Sequence, residues 1–118
     1  MPVLELVVNI EVPDHPEVSL KLTRLAARLL NRPEARIATY ISTNKTLTFA
    51  GTSEPAYLLT VIAIECLDTQ ANVTYSSAFA EFFESDLGLA KDRGYIIFED
   101  PGSDRIGLEG TTWAALNA

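Results

Sequence analysis

The sequence predicts an α+β fold, with a mainly four-stranded sheet carrying two helices on one face and built from two β-α-β repeats. Short runs rich in Val, Leu and Ile alternate with two longer stretches of helical periodicity, and the second half repeats the order of the first. The first strand is also apolar on both of its faces, with Val3, Leu4, Leu6, Val7 and Val8 leaving little for water. Two helices cover only one face of a sheet, so the other is expected to be buried against further copies of the chain.

The elements follow in order. Val3–Ile10 reads as a strand stopped before Pro13. Asp14-His15-Pro16-Glu17 reads as a helix start, with Asp14 as cap and Pro16 in the first turn. The helix runs to about Asn31 with Val18, Leu22, Leu25, Ala26 and Leu29 in one stripe. Arg32-Pro33 ends it, because the residue before a proline is pushed out of the helical region. Ile37–Ile41 is a second strand, Asn44-Lys45 a turn, and Thr46–Phe49 a short strand by its alternation. Gly51-Thr52-Ser53-Glu54-Pro55 is turn chemistry. Tyr57–Ile64, the longest apolar run, belongs at the centre of the sheet. A second helix spans about Thr69 to Leu87, with Val73, Phe79, Ala80, Phe83 and Leu87 inward and Gly88 as its stop. Gly94–Phe98 is a further strand, and Ile106–Leu108 and Thr111–Trp113 are candidate edge strands.

Composition narrows the function. The 118 residues form one domain, 1–118, and 47% hydrophobic residues are enough for a real core. A formal net charge of −7 argues against nucleic acid and anionic membranes as partners, since both need clustered Lys and Arg. Cys66 is the only cysteine and His15 the only histidine, so neither an internal disulfide nor a metal site of His and Cys is expected, and a Ser-His-Asp triad would have to use a histidine in a Pro-flanked loop. The chain opens with no charged-then-apolar signal, and no run nears the ~20 apolar residues that span a bilayer. A cytoplasmic protein is the expectation. Asn72-Val73-Thr74 is then a helix start and not a glycosylation site.

The candidate for chemistry is Pro2. Removal of Met1 turns the Pro2 ring nitrogen into a secondary amine at the head of a buried strand. An α-amino group titrates near pH 7.7–8.0, and burial or a neighbouring cation lowers that value. A neutral amine on a rigid element is a general base.

Pro2 opening a strand, Arg32-Pro33 after the first helix, Gly51-Thr52-Ser53-Glu54-Pro55, and Asp92-Arg93-Gly94-Tyr95-Ile96 stand in register over nearly the whole chain. Together they resemble the macrophage migration inhibitory factor and D-dopachrome tautomerase family. The resemblance implies a homotrimer whose sheets form a barrel with an active site at each subunit boundary. It implies a cofactor-independent keto–enol tautomerase acting on a phenylpyruvate-like 2-oxo acid, with Pro2 as base. Arg32 stands where the family carries a carboxylate-binding lysine, and Arg36 adds a second cation. Ile64 matches a residue acting through its backbone amide, and Tyr95 one that a neighbouring subunit contributes. Ile97 replaces an asparagine and Leu108 a tryptophan, with Phe98 and Trp113 keeping aromatic surface near the pocket wall. These departures bear on substrate preference. The family's Cys-x-x-Cys is absent, Ala56-Tyr57-Leu58-Leu59 standing in its place, which excludes dithiol redox chemistry of that type.

Two other readings accompany the resemblance. One is dehalogenation or decarboxylation by the same proline, which needs groups to activate water. Glu109 and Arg105 are the nearby tail candidates, at an unsuitable spacing. The other is a cytokine-like protein that binds a receptor and leaves its cell by an unconventional route.

Overall fold

The computed structural model describes residues 1–118. Its main sheet holds β1 (Pro2–Val8), β2 (Ala38–Thr43), β3 (Tyr57–Ala63) and β4 (Gly94–Glu99) in the order β2-β1-β3-β4. β1 runs parallel to β2 and β3 parallel to β4, while β1 and β3 pair antiparallel along the middle. Each parallel pair is joined through a helix, as a β-α-β unit requires. The helices are α1 (His15–Leu30) and α2 (Thr69–Leu87).

Alternation along the strands separates the two faces. Leu4, Leu6 and Val8 of β1 and Tyr57, Leu59 and Val61 of β3 form one core cluster with Leu22, Ala26 and Leu30 of α1 and Tyr75, Phe79 and Phe83 of α2. Both helices therefore lie on the same face. Burying each of these large side chains stabilises the fold by about 1.5–3 kcal/mol. The opposite face carries Val3, Val7, Leu58 and Ile62 half-buried, with Tyr40, Tyr95 and Ile97 exposed.

The helix ends follow from local chemistry. The Asp14 carboxylate accepts from the Glu17 amide at 3.0 Å, and that of Asp68 from the Ala71 amide at 2.8 Å. Asn31, in the left-handed region at φ 52°, closes α1. Gly88 at φ 67° closes α2, its amide donating to Glu84 and that of Leu89 to Phe83.

Three expectations are corrected. Thr46–Phe49 is not a strand. The Asn44 side chain accepts from the amide and hydroxyl of Thr46, the Asn9 amide donates to the Leu47 carbonyl, and Arg93 donates to that of Phe49. Side chains thus take the backbone groups a ladder would have used, leaving only a Phe49–Thr52 bridge around Ala50-Gly51, both at positive φ. Val73 points outward and is 63% exposed. It sits two residues from Tyr75, roughly 200° around the cylinder, so Tyr75 takes the inward place. Trp113 is not a strand residue: after β5 (Gly107–Leu108) and β6 (Thr111–Thr112), it begins a short α3 (Trp113–Leu116).

Gly94 starts β4 where the neighbouring strand comes closest. A Cβ there would overlap the Tyr57 carbonyl oxygen and stand 2.6 Å from its ring. Gly94→Ala is expected to cost about 1–3 kcal/mol, read as a lowered denaturant midpoint; an unchanged midpoint would show that β3 and β4 can separate freely.

Candidate active site

A proline has no amide hydrogen to give a ladder, so the first position of a strand suits it. Pro2 takes that position in β1, opposite Ala63 of β3, with its side chain fully buried. A cleft of about 350 Å³ opens beside it, lined among others by Met1, Pro2, Arg36, Ala38, Leu108 and Glu109.

Two chain segments build the walls. Past α1, Pro33 leads into a tight 3₁₀ turn at Glu34–Arg36, closed by the Arg36 amide donating to the Pro33 carbonyl at 3.0 Å. That turn delivers Arg36 to the cleft. On the other side β5 and β6 form a two-residue hairpin, with Glu109 at φ 52° and Gly110 at φ 79° as its tip. The tip carries Glu109 to Arg36, with Nη1 and Oε2 at 3.5 Å. The Trp113 ring faces the same guanidinium, 5.8 Å from its centroid.

Arg32 is held differently. Its Nη1 donates to the carbonyls of Leu30 and Asn31 at 3.2 Å, and its Nη2 to the carbonyl of Ile64 at 3.1 Å. It ties the end of α1 to the residue just past β3. Ile64 is buried, and the chain turns sharply after it at Glu65, φ 62°, whose amide is held by the Asp100 carboxylate at 3.1 Å.

The electrostatics favour a neutral amine. Burial pushes the pKa of the amino terminus at Met1 below its ordinary value, and the positive charges of Arg32 and then Arg36 lower it further. Cys66, behind this end of the sheet, has its thiol pushed up, chiefly by burial. It is no thiolate nucleophile.

Residues 1–114 match the family described as macrophage migration inhibitory factor (MIF). The chain belongs to that family. The MIF homolog of Trichinella spiralis is 32% identical over 96% of this chain and the whole of that one. The solved MIF homologue of Prochlorococcus marinus superposes with a TM-score of 0.88 at 28% identity, over 94% of this chain and 98% of that one. D-dopachrome decarboxylase-B of Xenopus laevis is 30% identical over 98% of this chain and all of that protein. The α+β MIF fold, with its mixed four-stranded sheet and two main helices, is thereby established for this chain. No helix is long and apolar enough to cross a membrane.

Within this MIF-family subunit the residues singled out from sequence separate into groups. Pro2, Arg36 and Leu108 line the cleft, Trp113 backs Arg36, and Arg32 and Ile64 lie behind the buried end of the sheet. Tyr95 and Ile97 sit on the open face of β4, Tyr95 packing on Phe49 with ring centroids 5.3 Å apart. Tyr95 pairs in register with Leu58, whereas Pro2 pairs with Ala63, which puts Tyr95 ~17 Å along the strands from the cleft. Phe98 points to the helix face against Tyr75 and belongs to the core, not to a pocket wall. Sequence reasoning missed Glu109 as the partner of Arg36. The sequence signals only the turn, Gly110 standing between Gly107-Leu108 and Thr111-Thr112 as in a two-residue hairpin; nothing local marks its contact with Arg36.

The pKa of the amino terminus gives a test. A cation beside an amine disfavours its charged form, so Arg36→Met is expected to raise that pKa toward the ordinary range near 8. The pH dependence of acylation of the terminus reads this directly; an unmoved midpoint would mean that Arg36 does not act on it.

Proposed function

We propose that this chain is a cofactor-independent keto–enol tautomerase for phenylpyruvate-like 2-oxo acids, with the Pro2 nitrogen, freed by removal of Met1, as the base. The observation that carries the reading is the place of Pro2. Its ring is buried at the edge of a cleft, and the amine one residue away is already pushed below its ordinary pKa by burial, Arg32 and Arg36. While Met1 is attached the Pro2 nitrogen is an amide and has no basicity. Once free, it stands one residue further along β1 than that amine.

The chemistry needs one base and one proton. The neutral amine takes the hydroxyl proton of the enol as the C=O forms, and the resulting ammonium returns a proton to the adjacent carbon. The reverse order converts keto to enol. Nothing is oxidised or reduced, and no co-reactant is consumed. Arg36, in the cleft, supplies positive charge for the substrate carboxylate. Arg32, tied to the Ile64 carbonyl, adds its charge from further off, while Leu108 and, behind Arg36, Trp113 offer apolar surface to the ring. Membership of the macrophage migration inhibitory factor family supports the reading.

The site is completed by a second copy. Tyr95 lies ~17 Å along the strands from its own cleft, and both it and Ile97 are exposed on the open sheet face. Covering that face with neighbouring copies in a homotrimeric barrel buries it and brings Tyr95 and Ile97 of one copy to the Pro2 cleft of the next.

General base catalysis typically contributes about 10²–10⁴-fold. Pro2→Gly, which replaces the ring nitrogen with a more flexible primary amine, is expected to lower kcat on phenylpyruvate enol at least ~10-fold. A form retaining Met1 should be inactive. Turnover unchanged in both, on chains whose masses verify their termini, would remove Pro2 from the mechanism.

A further inference from the structure

The two arginines near Pro2 are not equally available. Freeing the Arg32 guanidinium would strip donors from three backbone carbonyls, those of Leu30, Asn31 and Ile64, and unpaired carbonyls at a helix end are costly. Arg36 faces a single carboxylate at 3.5 Å, with the two side chains 42% and 64% exposed. Exposed ion pairs of this kind contribute little. Its other contact is the face of Trp113. A ring engages the flat side of a guanidinium and a carboxylate its N–H edge, so the Trp113 contact survives a change of carboxylate.

Glu109 stands at a position that disfavours it. At φ 52° a left-handed hairpin residue is ordinarily Asn, Asp or Gly. Glutamate brings no advantage to the turn itself. Its longer side chain does reach Arg36 across the mouth of the cleft.

We propose that Glu109 is a specificity-determining residue, an internal carboxylate that holds Arg36 and is displaced by the carboxylate of an incoming aryl acid. Its relevance to catalysis rests on the tautomerase reading, but the exchange itself is a binding equilibrium. A neutral ligand lacks the group to make it. Glu109 therefore weakens the binding of all carboxylates by the strength of its own ion pair, and Arg36 stays oriented on Trp113 throughout.

The test is calorimetric binding of phenylacetate, an unreactive aryl carboxylate, and of neutral phenylacetamide to the full chain, E109Q and E109N. Asn suits the left-handed turn, so E109N removes the charge while keeping the hairpin. Both variants are expected to bind phenylacetate about threefold tighter, with phenylacetamide unaffected and KM for phenylpyruvate enol falling more than kcat changes. Phenylacetate affinity that is unchanged, weakened or absent in both variants, or an equal gain for the amide, would overturn the exchange. Absence of turnover in the wild-type chain alongside the expected binding shift would sink the tautomerase reading and leave the exchange standing. Normal turnover without the shift would do the reverse.

Discussion

The antiparallel pairing of β1 with β3 is the constraint from which the site follows. It sets Pro2 opposite Ala63 in the middle of the sheet, so the head of the chain is buried instead of fraying. Burial there disfavours a charged amine. The same register puts Ile64 one step beyond, where Arg32 can reach its carbonyl from the end of α1. A slip of one residue would turn every β1 side chain to the opposite face and take Pro2 out of the core. Leu4, Leu6 and Val8, all fully buried against the helices, hold the register against that slip.

Charge is arranged locally against the global balance. The chain is acidic overall, at −7, yet the surroundings of its amino terminus are dominated by Arg32 and Arg36. The two have separate tasks. Arg32 is fixed by carbonyls and its charge acts on the amine, whereas Arg36 stands in the cleft against one exposed carboxylate. A fixed cation can depress an amine pKa without moving, and a loosely held one can receive an anion.

Most of the fold was legible because its signals are local. Asp14 with Pro16, Gly88 after an apolar stripe, and the β-branched runs each specify an element through short-range chemistry. The failures lie where distant groups intervene. Thr46–Phe49 alternates like a strand, but Asn9 and Arg93, far away in sequence, claim its carbonyls. Val73 looked inward because an apolar residue in a helix carries no mark of direction, and only the packing of Tyr75, Phe79 and Phe83 sets the face. In the site, the sequence pointed to Pro2 and Arg36, and both line the cleft. The hairpin turn at Glu109-Gly110 was legible, but its pairing with Arg36 was not, since the pair joins residues on two walls separated by most of the chain.

Proton transfer by Pro2 needs a ring nitrogen that is largely neutral near pH 7. Its most direct test is an NMR titration of that nitrogen in a ¹⁵N-proline-labelled chain whose mass shows it to begin at Pro2. The expected midpoint is near or below pH 7, beneath the ordinary α-amino range of about 7.7–8.0. A midpoint within or above that range would contradict it, because the nitrogen at the buried end of β1 would then be mostly ammonium at pH 7.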